Sequence, residues 1–327
     1  MSRIPRSVSV AIPVYNEAEV LPHLLVRLRR VLDGIDGGPH QIVMVDDGST
    51  DQTLKLLEIE VNQDQRLIVV ALARNFGQQA AVTAALAYTS GDVVIVMDAD
   101  LQDEPEAIPL LLEKYGQGYD VVYAQRVARK EGPLLRMAYF LFYRLIARLA
   151  DVKLPTDAGD FALMSRRVID QLNRVPEHHR YLRGLRTWVG YPQTGVQVER
   201  AERYTGRSKY SVLALIRLAM DGIFAFSTAP MRAAALVGAL AIGGATCFTL
   251  YAVFAKVALH QHTQGFTALI VIITFLAGVQ LLFLGVIGEY LGRVYEEVKA
   301  RPLYVVDRVL RAGQSDSARG ASRTALG

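Results

Sequence analysis

The chain has 327 residues, a net charge of +4 and an isoelectric point near 9.1. That basic excess is too small to point to nucleic acid. The one cysteine, Cys247, excludes an internal disulfide and a cysteine-based metal site. No signal peptide precedes the opening "SVSVAIPVYNE", so the front of the chain is expected to work in the cytoplasm.

From residue 7 to 125 strand-like and helix-like patterns alternate. The apolar runs are "SVSVAIP", "QIVMVDD", "RLIVVAL", "DVVIVMD" and "DVVYAQ". Helical stretches lie between them at Glu17–Asp33, Gln52–Val61, Gly77–Tyr88 and Pro105–Tyr115. Near-continuous apolar strands separated by helices predict an α/β fold, with a mostly parallel sheet covered on both faces. Ligands of such sheets sit outside the carboxyl ends of the strands. The polar clusters Pro13–Glu17, Asp46–Asp51 and Asp98–Gln102 each begin where a strand ends, so three segments are expected to converge on one edge.

Two later stretches read as amphipathic helices. Residues 133–150 carry Arg136, Arg144 and Arg148 on one side, which suits either a membrane interface or packing on the sheet. Residues 210–226 would reach only about 25 Å as a helix, which favours an interfacial position over a third span. Ala233–Ala255 and Phe266–Gly288 carry no charge at all. Each exceeds the roughly 20 residues that cross a bilayer as a helix. Arginines and lysines flank the pair on both outer sides, and the short connection holds only Lys256 among lysines and arginines, so the positive-inside rule puts both chain ends in the cytoplasm. The Ser-, Gly- and Ala-rich tail after Ala312 is expected to be disordered.

"VVIVMDADLQDEPE" raises a question of charge, because an apolar strand runs into Asp98, Asp100, Asp103, Glu104 and Glu106. Asp-x-Asp at a strand end offers oxygen ligands to a hard divalent cation, which commonly bridges to substrate phosphates. Acidic pairs also serve as simple helix caps, and the pair by itself leaves both uses open.

Taken in order, "AIPVYNE", "VDDGSTD", "ARNFGQQAA" and "MDADLQDEPE" resemble family 2 glycosyltransferases of the GT-A fold. "DAGDFALMSR", "YLRGLRTWVGY" and "RYTGRSKYS", followed by two membrane helices, are similar to polyprenyl-phosphate glycosyltransferases of the bactoprenol glucosyltransferase type, related to dolichol-phosphate mannose synthases. The resemblance covers roughly residues 7 to 300. It implies a cytoplasmic Rossmann-like GT-A domain over 1–209, a juxtamembrane amphipathic helix over 210–230, two transmembrane helices over 231–292 and a cytoplasmic tail over 293–327. It implies inverting transfer of a hexose, glucose first, from a UDP-sugar to polyprenyl phosphate at the inner face of the cell membrane, by a homo-oligomer, a tetramer in relatives.

The same resemblance assigns roles. Pro13, Tyr15 and Glu17 would line the nucleotide pocket, and Asp46 or Asp47 would bind the uracil or the ribose. Asp98, Asp100 and Gln102 would hold Mg²⁺ or Mn²⁺ and the sugar diphosphate. Arg126 would meet a phosphate. Asp160, or else Asp157, would be the catalytic base or stand beside it. Arg203 and Lys209 would bind the lipid phosphate. Each also has a plainer use: turn formation for Asp46 and Asp47, capping for Asp157, solvated charge for Arg126, and snorkelling at the membrane for Arg203 and Lys209. The sequence departs from the pattern at Ala162, where a basic residue is expected after "GDF"; a phosphate contact would then be missing, or supplied by Arg166 or Arg167. A processive polysaccharide synthase is disfavoured by the two spans and by "RGLRTW" in place of Gln-x-x-Arg-Trp. A non-catalytic scaffold is disfavoured by the intact Asp98, Asp100 and Asp160.

Overall fold

A computed structural model of the chain describes residues 4–126, 158–178, 180–198, 229–258 and 265–316. Contacts divide the chain into two units.

The first unit is an α/β domain on a nine-stranded sheet. Its strands are β1 (Val8–Val14), β2 (Gln41–Asp46), β3 (Leu67–Leu72), β4 (Val93–Val96), β5 (Val121–Arg126), β6 (Ala158–Ser165), β7 (Gln193–Val198), β8 (Val306–Arg311) and β9 (Gln314–Asp316). They lie in the order β7-β5-β6-β4-β1-β2-β3-β8-β9. The four central strands β4, β1, β2 and β3 are parallel, as their apolar runs predict. β5 does not join β4 directly, because β6 inserts between them and runs antiparallel to both. The result is a mixed sheet.

Alternation along the strands sends side chains to opposite faces. Val8, Val10, Ile12 and Val14 of β1, with Ile42, Met44, Val93 and Ile95, pack under α1 (Leu21–Asp33), α2 (Thr53–Gln63) and α4 (Ile108–Gly116). Ala11, Val43, Val45, Val70, Val94 and Val96 face the other way, under α3 (Gln78–Ala87), α5 (Arg166–Arg174) and α6 (Leu182–Trp188). Both faces of each central strand are therefore buried, which is why these strands read as continuous apolar runs rather than alternating ones.

The chain runs outward from β1 through β2 to β3, then returns to place β4 on the other flank of β1. The order thus reverses between β1 and β4, the position where open α/β sheets form a crevice. Pro13 sharpens that divergence. It has no N–H to donate to the neighbouring strand, and the β1–β4 ladder ends with Ala11 opposite Val96.

The C-terminal segment differs from its expectation. Residues 306–311 and 314–316 are strands, and β8 pairs antiparallel with β3. The sequence reading put a disordered tail after Ala312, which Gln314–Asp316 corrects. The cause is simple: Val306, Val309 and Leu310 pack on the sheet's hydrophobic clusters, and β8 so held gives the short polar β9 the backbone partners it lacks alone.

The second unit contains α7 (Ala229–Ala258) and α8 (Phe266–Lys299). Ala234–Tyr251 and Phe275–Lys299 are long and apolar enough to cross a membrane, and neither window is buried. Leu240, Ile242, Leu250, Leu281 and Leu282 are all exposed. α8 continues past the expected span boundary at 292, and beyond its apolar run Arg293 pairs with Glu289 one turn back at 3.0 Å. The helices expected at 133–150 and 210–226 lie outside the described residues.

Candidate active site

Three loops meet at the carboxyl ends of β1, β2 and β3. The backbone N–H of Asn16 donates to Ser49 Oγ (3.0 Å), that of Glu17 to Thr53 Oγ1 (2.9 Å), and that of Thr50 to Asn16 Oδ1 (2.8 Å). Asn16 sits in the left-handed region, with φ 54°, which asparagine tolerates better than most residues. These bonds fix the "PVYNE" loop against "DDGST" and leave Tyr15 45% exposed at the rim. Gly48, with φ 68°, lets the second loop lie on the third: a Cβ there would meet the backbone of Arg74 and Asn75.

The two adjacent aspartates divide their work. Asp47 accepts hydrogen bonds from the backbone N–H groups of Phe76 (2.7 Å) and Gly77 (2.9 Å), so both its oxygens tie down the loop after β3. Asp46 is 1% exposed and accepts a bond from the Ser49 N–H through Oδ2, while its Oδ1 is buried without a hydrogen-bond partner among the described residues. Burial pushes both carboxyls up, against the opposing pull of the Ser49 hydroxyl and amide on Asp46 and of the Phe76 and Gly77 amides on Asp47. A buried acceptor without a donor is costly, and of the pair Asp46 is the one able to take a donor from a ligand.

The acidic strand end lies next to this edge. β4 and β6 pair with Val96 opposite Ala162, a register that runs Asp98 against Asp160. Burial, followed by the charges of Asp160, Asp103 and Asp100, pushes the Asp98 carboxyl up to about 7. Among the described residues one donor opposes this, Gln78 Nε2, at 2.8 Å from Asp98 Oδ1. Between Asp100 and Gln102, buried Leu101 takes φ 56°, a left-handed conformation costing about 1–2 kcal/mol for such a residue. The turn it makes lets the Gln102 N–H donate to Asp100 Oδ1 at 3.1 Å. Strain held in place by a buried side chain is characteristic of ligand-binding turns.

Asp160 is gripped by Arg183, whose Nε and Nη2 each reach a carboxylate oxygen at 2.6 Å. Three residues on, and so on the same side of α6, Arg186 is 1% exposed and stacks on the Tyr123 ring at 5.1 Å. Its Nε and Nη2 have no hydrogen-bond partner among the described residues. Burial lowers its pKa to about 10, opposed chiefly by the charge of Asp160.

The expected site residues fall out as follows. Tyr15, Glu17, Asp46, Asp47, Asp98, Asp100, Gln102 and Asp160 lie at one sheet edge. Pro13 is buried inside β1 opposite Val45, one residue short of the strand end. Arg126 is the last residue of β5, beside the start of β6. Asp157, Arg203 and Lys209 lie outside the described residues. Arg166 and Arg167 do not replace the basic residue missing at Ala162: Arg166 donates to the Gly91 carbonyl at 2.6 and 2.8 Å, and Arg167 pairs with buried Asp120. Both anchor the far end of β6, because they follow its last residue. Gln78, Arg183 and Arg186 were not singled out from sequence. "FGQQ" and "RGLR" contain them, but only the packing of α3 and α6 brings them to the acidic edge.

The donor set fits a divalent cation of the Mg²⁺ or Mn²⁺ kind. Carboxylates crowded enough to hold one another's protons are relieved by a metal. Among the described residues no three acidic, histidine or cysteine side chains form a closed cage. Magnesium-type sites of that sort use one or two carboxylates and complete the shell with water and substrate phosphate.

Comparison with known proteins gives the family. Residues 9–172 match the model of glycosyl transferase family 2. The chain is 44% identical over 300 residues to an uncharacterized glycosyltransferase of Synechocystis sp., covering 91% of this chain and 94% of that one. It is 35% identical to a prophage bactoprenol glucosyl transferase homolog of Escherichia coli, covering 92% and 99%, and 36% identical to the bactoprenol glucosyl transferase of Shigella phage SfII, covering 92% and 97%. Among solved structures it is similar to glucosyl-3-phosphoglycerate synthase from Mycobacterium tuberculosis in complex with Mn²⁺, UDP-glucose and phosphoglyceric acid, at 23% identity and a TM-score of 0.45, over 67% of this chain and 78% of that one. The chain is a member of glycosyl transferase family 2, with the GT-A type of fold.

Proposed function

We propose that the chain transfers a hexose, glucose first, from a UDP-sugar to polyprenyl phosphate with inversion at the anomeric carbon. The observation that carries this is the match to proteins named bactoprenol glucosyl transferase along 97–99% of their own length, helices α7 and α8 included. The acidic edge supports it chemically.

In this reading Tyr15, Glu17 and the end of β1 at Pro13 line the nucleotide pocket. Asp46 Oδ1 accepts from the uracil or the ribose, and Asp47 holds the loop of Phe76 and Gly77 beneath it. Asp98, Asp100 and Gln102 hold Mg²⁺ or Mn²⁺, which as a Lewis acid offsets the charge that develops on the departing UDP. Arg126, Arg203 and Lys209 are assigned to phosphates. The acceptor is already anionic, since a phosphate monoester has its second pKa near 6. Asp160, or Asp157 beside it, therefore has little proton to remove and contributes mainly by arranging charge around the attacking oxygen.

α7 and α8 would bring the domain to an acceptor that cannot leave the bilayer. β8, which follows both helices, hydrogen-bonds into the same sheet as β1 to β4. A strand cannot pair with a sheet across a membrane, so two crossings and a return to the starting side go together; the arginines and lysines flanking the pair favour the cytoplasm for the catalytic domain and both ends. The domain thus comprises roughly residues 1–209 plus the returning strands, rather than 1–209 alone. A tetramer, suggested by resemblance, completes the reading.

The test is transfer from UDP-[¹⁴C]glucose to undecaprenyl phosphate by the purified full chain, with product extracted into organic solvent. Asp100→Ala is expected to abolish labelling while the protein stays folded and membrane-bound. Label on a soluble acceptor, or full transfer in EDTA, would sink the proposal.

A further inference from the structure

Three consecutive residues at the start of α3 each hold a different part of the site. The Gly77 N–H donates to Asp47 Oδ2 at 2.9 Å, and Gln78 Nε2 donates to Asp98 Oδ1 at 2.8 Å. Gln79 Oε1 accepts the backbone N–H of Leu182 at 3.1 Å, across 103 positions of the chain. One turn of α3 thus ties down the end of β2, the acidic edge after β4 and the start of α6. Of the three, Gln79 has no role in either the motif reading or the proposed chemistry.

The bond to Leu182 meets a need that α6 does not meet locally. The first N–H groups of a helix have no carbonyl one turn back. Tyr181, the residue before α6, makes no side-chain capping bond, and tyrosine lacks the short side-chain acceptor that caps. The Gly184 and Leu185 amides reach the Tyr181 carbonyl at 2.9 and 3.0 Å, whereas the Leu182 amide goes to Gln79. Leu182 is buried, and a buried N–H without an acceptor is costly. α6 has only seven residues, and so short a helix takes its position from its contacts. α3 gives firm support, since Ala80, Ala81, Ala84 and Ala85 are buried in the core. Arg183 follows Leu182 directly and grips Asp160. An acceptor oxygen on α3 therefore sets where α6 stands relative to the acidic edge.

We propose that Gln79 is a positioning residue for sugar transfer: its carboxamide oxygen holds the first turn of α6, and with it Arg183, in register with Asp98 and Asp160. Gln79 makes and breaks no covalent bond. It fixes geometry, and a misplacement of about 1 Å can cost a reaction about 10²-fold. The nucleotide end is fixed separately, by Asp47 on Phe76 and Gly77 and by the loop bonds of Asn16 and Glu17. Donor binding is therefore expected to be independent of Gln79. The inference rests on the proposed transfer to polyprenyl phosphate and on Asp160 acting in it.

The experiment uses the purified full chain. Transfer to undecaprenyl phosphate, UDP–Mn²⁺ binding by calorimetry and amide hydrogen exchange at Leu182 are read in parallel. Gln79→Met removes the acceptor at matched length, and Gln79→Glu keeps an oxygen that can take the same N–H. Loss of the acceptor should lower kcat in Gln79→Met roughly tenfold, while UDP–Mn²⁺ affinity changes less than about threefold. Gln79→Glu should recover most of the lost kcat, which a side chain acting through its amide nitrogen would not. Exchange at Leu182 should quicken in Gln79→Met and not in Gln79→Glu. In an Arg183→Gln background Gln79→Met should add little further loss, since both act through one helix. Should Gln79→Met show no melting transition, Gln79→Asn, one methylene too short to reach Leu182, takes its place. An unchanged kcat in Gln79→Met overturns the proposal, and so does a Gln79→Glu as slow as Gln79→Met. A loss of UDP–Mn²⁺ affinity equal to the loss of kcat also overturns it, and assigns Gln79 to the donor. Absence of any transfer by the unmodified chain would instead overturn the proposed function, while unchanged exchange at Leu182 in Gln79→Met would still refute the role given to Gln79.

Discussion

Asp98 and Asp160 stand across from each other where β4 and β6 run antiparallel, and Asp160 is the strongest charged influence on the Asp98 carboxyl. Asp98 lies two residues past the end of parallel β4 and Asp160 lies near the start of inserted antiparallel β6, so the acidic edge is a product of sheet topology.

This crowding makes the metal-free protein sensitive to pH. The folded Asp98 carboxyl titrates near 7, above its ordinary value of 3.8, so the folded state holds this proton more tightly than the unfolded state. The associated stability is present below about pH 4 and is lost as pH rises through 7. Thermal unfolding of the metal-free protein between pH 5 and 8 should show Tm falling with pH, less so in Asp98→Asn. The Tm increase on adding Mn²⁺ should grow over the same interval, because proton and metal compete. A Mn²⁺ effect independent of pH would contradict the assignment.

Gln78 donates a hydrogen bond that favours the ionised form of Asp98. Gln78→Ala should therefore push the carboxyl further up and weaken Mn²⁺ binding a few-fold at pH 7, with recovery at pH 8.5. Calorimetric titration of Mn²⁺ with UDP at the two pH values checks this.

Asp46 and Asp47 should behave differently despite being adjacent. Asp47→Ala leaves the N–H groups of Phe76 and Gly77 without acceptors, at about 1–3 kcal/mol for a buried donor, and should lower Tm visibly. Asp46→Asn should leave Tm within a degree or two and weaken UDP binding several-fold. Equal effects of both substitutions on Tm and on UDP affinity would remove the distinction.

Pairing of β8 with β3 puts both ends of the helical hairpin on one side, and the flanking arginines and lysines predict that side to be the cytoplasm. In a Cys247→Ser background, a cysteine at Gln261, between α7 and α8, should react with a membrane-impermeant maleimide added to intact cells. A cysteine at Ser315 in β9 should react only after permeabilisation. Labelling of both from outside would exclude two crossings.

Much of the fold was legible because its signals are local. Apolar runs closed by Asp, Gly and Pro gave β1 to β5 within a residue or two, and the charge-free runs gave α7 and α8. The acidic edge was legible too, since three strand ends with polar clusters must converge in a parallel sheet. β6 to β9 were not separated from sequence: they are short, edge or inserted strands whose identity depends on a partner.

What the sequence alone determined is the class of the fold, the family and the composition of the acidic edge, because hydrophobic periodicity and ordered motifs are properties of adjacent residues. Tertiary structure decided which aspartate is spent on backbone amides, which arginine meets Asp160, and that the C-terminal segment completes the sheet. Those outcomes depend on charges and hydrogen-bonding groups distant in the chain coming within a few ångströms, and that distance is set by packing.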